Sequence, residues 1–74
     1  MENRVREVRV VKRITQFQLR IATGIHQSKI SMIENDLVEP REDEKKRLAR
    51  ALGVPIRELF LADSKEGSDG GKAD

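Results

Sequence analysis

The sequence predicts an all-α fold of five short helices in a chain of 74 residues. Three observations carry that expectation. Apolar residues recur three and four positions apart in short windows, the period of a helix with one buried face. Gly24 and Gly53 stand just past two such windows, and Pro40 and Pro55 stand just before others, where helices stop and start. Thr15 and Gln18 form a Thr-x-x-Gln pair, a local signal for a helix N-terminus.

The first helix is expected from about Asn3 to Lys12, with Val5, Val8 and Ile14 as apolar markers and Asn3 as N-cap. Val10 and Val11 blur the period and leave a strand as the rival there. Arg6, Arg9 and Arg13 share one side at helical spacing, a pattern that usually marks a solvated face. The second helix runs about Gln16 to Thr23, capped by Thr15 and ended by Gly24, with Leu19 and Ala22 turned to the core. Ile25 plugs the corner. The third spans about Gln27 to Asn35. Asn35 or Asp36 then takes a left-handed conformation, which Gly would adopt more easily. "NDLVEP" is a loop. The fourth helix covers about Arg41 to Leu52, with Glu42, Asp43 and Glu44 in its first turn and Lys45, Lys46, Arg47 and Arg50 after them, an order that suits the helix dipole. Leu48, Ala49 and Leu52 form its buried stripe. A last helix, Ile56 to Leu61, carries Ile56, Leu59 and Phe60. Residues 1–62 therefore read as one domain, and 63–74, "DSKEGSDGGKAD", as a disordered tail.

The third helix is unusual in what it shows. With Gln27 set at zero and about 100° per residue, Ser31 falls at about 40°, Asn35 at about 80°, Ser28 at about 100° and Met32 at about 140°. Ile33 at about 240° and Ile30 at about 300° face the other way, and Glu34 borders Ile30 at about 340°. A solvated face normally uses Lys and Glu. Amides and hydroxyls in one sector are suited to reading a partner.

Composition excludes several classes. Hydrophobic residues make up 36% of the chain, with two Phe and no Trp or Tyr, so the core is aliphatic and thin. Without Cys there is no disulfide framework and no thiolate metal site, which fits a cytoplasmic protein. No apolar run is long enough to cross a membrane, and no signal-peptide core follows Met1. The net charge of +2 hides an asymmetry: residues 1–35 hold seven Lys or Arg against three acids, whereas the remainder is slightly acidic. A localised positive field draws polyanions. No nucleophile–base set or phosphate-cradling glycine loop is present, so no enzyme and no cofactor is expected. His26 has no second His or Cys with which to hold a metal.

Helix, glycine-containing turn, exposed helix is the pattern of a helix-turn-helix, whose second helix enters the major groove while the first touches the backbone. Gln meets adenine with two hydrogen bonds, Ser is versatile, and Met can meet a thymine methyl. A helix N-terminus suits phosphate, and Gln16 sits at one. The stretch "TQFQLRIATGIHQSKISMIENDLVEP" resembles the Cro and lambda-repressor-like helix-turn-helix family, also called the xenobiotic response element family. The match rests on Thr15, Gln16, Leu19, Gly24, Ile25, Gln27, Ser28, Ile30, Ser31, Ile33, Glu34, Asn35 and Pro40, flanked by Val5, Val8, Arg9 and "LARALGVPIRELF". It extends over about residues 3–61.

The resemblance implies roles. Gln27, Ser28 and Met32 would read bases. Gln16, Lys29, Ser31, Asn35 and Arg41 would make phosphate or mixed contacts, with His26 an exposed cap able to reach phosphate. Arg9 and Glu34 would form an internal ion pair. The chain departs from the family pattern in Arg20, which replaces an Ala between the two helices and is expected to widen their crossing, in Asp36, which replaces Gly, and in Glu42 and Lys45, which thin an apolar face of the fourth helix. The expected protein is a regulator of transcription, most simply a repressor, binding double-stranded DNA as a homodimer through its last helix and the junction before it. The stretch after residue 62 is too short for an effector domain. The rival is an antitoxin or adaptor on the same fold that binds a protein.

Overall fold

The computed structural model describes residues 3–60, and every regular element among them is a helix: α1 Val5–Val11, α2 Gln16–Thr23, α3 Gln27–Glu34, α4 Glu42–Leu52 and α5 Ile56–Leu59. The expected tail, 63–74, and Leu61 of the last helix lie outside the described residues.

Val10 and Val11 are helical and exposed, which removes the strand as a rival. Asn3 lies one position outside the cap, yet its Oδ1 accepts from the Val5 amide at 3.0 Å, so it satisfies one orphan donor as a cap would. The Thr15–Gln18 box forms in both directions, at 3.0 and 2.9 Å. Gly24 adopts φ 77° and its amide returns to Arg20 at 2.8 Å. At Gly53, φ 72°, the amides of Gly53 and Val54 close back on Arg50 and Ala49.

Two further helix ends use the same left-handed closure without glycine. Arg13 has φ 60°, and Arg13 and Ile14 donate to the carbonyls of Val10 and Arg9, both at 3.0 Å. Asp36 has φ 59°, and Asp36 and Leu37 donate to Ile33 and Met32. Asp36 is the position at which strain was expected. Asn3 offsets it by donating from one amide group to Asp36 Oδ1 at 2.9 Å and to the Ile33 carbonyl at 2.8 Å.

The core joins all five helices: Val5, Leu19, Ile25, Ile30, Ile33, Leu48, Ala49, Leu52, Leu59 and Phe60. Each fully buried Leu, Ile or Phe contributes roughly 1.5–3 kcal/mol. The Arg4 amide donates to the Leu59 carbonyl at 2.9 Å, which ties the start of α1 to α5.

Three expectations about burial change. Ala22 is exposed, and Thr23 is buried in its place; its hydroxyl donates to the Leu19 carbonyl at 2.7 Å and accepts from the Ile25 amide at 3.1 Å. Arg20 is exposed rather than wedged between α2 and α3. Lys45 does not thin the buried face of α4. Its stem is buried, its ammonium lies 3.4 Å from Glu42 and 3.7 Å from Glu39, and it stands 5.7 Å from the centre of the Phe60 ring.

Candidate nucleic-acid interface

Ile30 and Ile33 are fully buried and fix the roll of α3, so the opposite sector faces outward. Ser28, Met32 and Asn35 are exposed, and Gln27 and Ser31 half-exposed. His26 caps the helix: its Nδ1 accepts from the Ser28 amide at 3.2 Å and lies 3.0 Å from the Ser28 hydroxyl. A neutral ring that accepts at Nδ1 carries its proton on Nε2, which is thereby left as a donor. Asn35 donates from Nδ2 to the Ser31 carbonyl at 2.8 Å, so its side chain lies back along the helix.

The two edges of this face are tied to neighbouring helices. On one edge Glu34, with a side chain only 2% exposed, receives Arg9 Nε at 2.6 Å on one oxygen and both Arg9 Nη2, at 3.3 Å, and Gln16 Nε2, at 3.0 Å, on the other. Arg9 Nη1 also donates to the Ile14 carbonyl at 2.9 Å. One carboxylate thus joins α1, α2 and α3. Of the three arginines on one side of α1 and its turn, Arg6 and Arg13 are exposed, while Arg9 turns inward.

On the other edge Lys29 donates to Glu44 Oε2 at 2.9 Å. Glu44 is buried, and its Oε1 accepts from the Arg41 amide at 2.9 Å, capping α4. Burial pushes the Glu44 carboxyl up, but the Arg41 amide, the Lys29 hydrogen bond and the charges of Lys29 and Arg41 outweigh it and hold the group below its ordinary value. Arg41 itself is exposed, its guanidinium 3.6 Å from Asp43 and 3.8 Å from Glu44. Sequence reasoning took Glu44 only as part of a helix start. Its position as third residue of α4 signalled the cap, but nothing local signalled Lys29, fifteen residues away.

A family model described as helix-turn-helix matches residues 5–59, from the start of α1 to the end of α5. The chain belongs to the Cro/C1-type helix-turn-helix family. It is a DNA-binding regulator of transcription. Among solved structures it is similar to the restriction-modification controller protein C.AhdI from Aeromonas hydrophila, with 32% identity, a TM-score of 0.73, and coverage of 77% of this chain and 86% of that one. No curated protein matches it.

The carboxylate of Glu34 couples α3 to α2 directly, through Gln16. Among the described residues no group of three or more His, Cys, Asp or Glu is arranged to hold a metal, and no helix is long and apolar enough to cross a membrane.

Proposed function

We propose that this regulator is a sequence-specific repressor that reads DNA with α3. The observation that carries the reading is the uncharged outward sector of α3, Gln27, Ser28, Ser31, Met32 and Asn35, on a helix whose roll is fixed by two buried isoleucines and whose two edges are tied to other helices. Gln27, Ser28 and Met32 are the base-reading residues. His26 offers Nε2 to a phosphate. Glu34 holds one N–H of the Gln16 side-chain amide, so its second N–H and its backbone amide at the N-terminus of α2 are its donors to a phosphate. Arg41 is exposed and contacts the backbone at the edge of the site, with Ser31 and Asn35 in mixed roles.

The active species is a homodimer on a pseudo-palindrome, with half-sites about 10–10.5 bp apart or multiples of that spacing. Leu59 and Phe60 are fully buried within the chain, so they are not the dimer surface. The junction of α4 and α5 offers Ala51, Val54 and Ile56, each half-buried, to a second copy. The likeness to a restriction-modification controller protein supports restriction-modification genes as the first candidates for control.

The test is selection of binding sites from a random duplex pool at near-physiological salt, followed by sequencing. Enrichment of a two-fold symmetric site supports the reading and gives the spacing. Failure to enrich any sequence, with only salt-sensitive background binding, defeats it and favours a protein-binding role.

A further inference from the structure

Lys29 is the one cation on α3, and it stands beside the reading sector at about 200° on the same scale, between Met32 and Ile33. Its side chain is 35% exposed, so a DNA phosphate could approach it. In the free protein it is instead bound to Glu44 at 2.9 Å. Glu44 is anchored independently of Lys29. One of its oxygens takes the Arg41 amide, the side chain is only 6% exposed, and the guanidinium of Arg41 lies 3.8 Å away. The carboxylate therefore cannot follow Lys29 outward without uncapping α4. For Lys29 to bind a phosphate it must leave a buried acid behind with one charged partner fewer, which is costly.

We infer that Glu44 limits the sequence-independent affinity of this face: it withholds the charge of Lys29 from the DNA backbone. Backbone contacts add affinity for every sequence alike and carry no sequence information. A cation next to the groove helix that was free to bind phosphate would strengthen binding to every duplex, random DNA included. Neutralised by Glu44, Lys29 adds none of that uniform affinity. The same contact ties the edge of α3 opposite Glu34 to α4. This inference rests on α3 being the DNA-reading helix.

The test is a salt titration of binding to a selected site and to a random duplex, for the parent chain, Glu44→Gln, Lys29→Met and the double variant. Gln keeps the shape of Glu and an oxygen for the Arg41 amide, but it no longer holds an ammonium by charge. Glu44→Gln is expected to steepen the slope of log K against log salt by about 0.9, the contribution of one added phosphate contact. Binding to either duplex should then lose an extra factor of about three between 50 and 200 mM salt. Lys29→Met alone is expected to leave the parent slope unchanged, and adding it to Glu44→Gln should restore that slope. A merely structural role for Glu44 would weaken both duplexes without steepening either slope. An unchanged slope in Glu44→Gln overturns the inference, and so does a slope shallower by about 0.9 in Lys29→Met. The second result needs only Lys29→Met, so the inference is decided even if Glu44→Gln does not fold. A parent chain that shows no salt-dependent binding to either duplex overturns the DNA reading itself.

Discussion

Replacing Arg9 with Ala should bring this domain close to unfolding. Arg9 and Glu34 meet at 2.6 Å with side chains 13% and 2% exposed, so neither charge is appreciably solvated. Removing one partner of such a pair costs about 3–5 kcal/mol, because the remaining charge stays buried. Glu34 keeps the Gln16 amide, which argues for the low end, about 3 kcal/mol. Arg9 also satisfies the Ile14 carbonyl at the turn into α2, and that bond is lost as well. For a domain of this size each kcal/mol moves the melting temperature by about 4–8 °C, so the expected fall is 12 °C or more. A core this small supplies only about 3–5 kcal/mol in total, so the variant should be partly unfolded at room temperature. The assay is thermal melting followed by far-UV circular dichroism, with DNA affinity measured on the folded fraction. Replacing both partners, Arg9→Met with Glu34→Leu, should recover most of the loss, since no charge is then left buried. A melting temperature within about 2 °C of the parent, together with lost DNA binding, would refute the argument and make Arg9 a DNA contact.

Gln27→Ala should cost about 1–3 kcal/mol on the selected site and little on random DNA in a binding isotherm; equal losses on both would remove Gln27 from base reading. Arg13→Gly should raise the melting temperature by a few degrees, because a left-handed residue with a side chain costs about 1–2 kcal/mol and the extra chain entropy of Gly returns only part of it. Asp36→Gly should gain less than Arg13→Gly by calorimetry, since it also loses the hydrogen bond from Asn3; a larger gain would mean that this bond contributes nothing. The carboxyl of Glu44 lies lower in the folded chain than the ordinary value of 4.5, so its contribution is present above that value and disappears as pH falls through the folded one. Melting measured from neutral pH downward should accordingly show a flatter acid limb in Glu44→Gln than in the parent.

Local chemistry made several elements legible in the chain itself. The box at Thr15 and Gln18, the glycines at 24 and 53 and the acids opening α4 act within one or two turns, and each of those helices forms where these signals stand. The roll of α3 was also legible, because Ile30 and Ile33 are its large apolar residues on a common side, and burying them turns Gln27, Ser28 and Met32 outward. The helix end at Arg13 was harder, whereas Asp36 is one of the two positions at which the sequence places a left-handed residue. Arg gives no local sign of a left-handed backbone, and the closure at Arg13 follows from bringing Ile14 back toward the core. Thr23 displaced Ala22 from the interior because its hydroxyl finds two backbone partners in the corner before Ile25, an arrangement that periodicity cannot distinguish.

What the sequence by itself determined is therefore the helix set, the buried stripe and the uncharged face, all consequences of spacing along one helix. Only the tertiary structure decided which charges are available to a partner. In a charge pattern alone, apart from the resemblance that pairs Arg9 with Glu34, Lys29, Lys45 and Arg9 look equally solvated. Their acids stand fifteen positions away in Glu44, three and six in Glu42 and Glu39, and twenty-five in Glu34. A solvated charge is largely screened beyond about 8–10 Å at physiological salt, so its partner is set by which helices the core brings into contact.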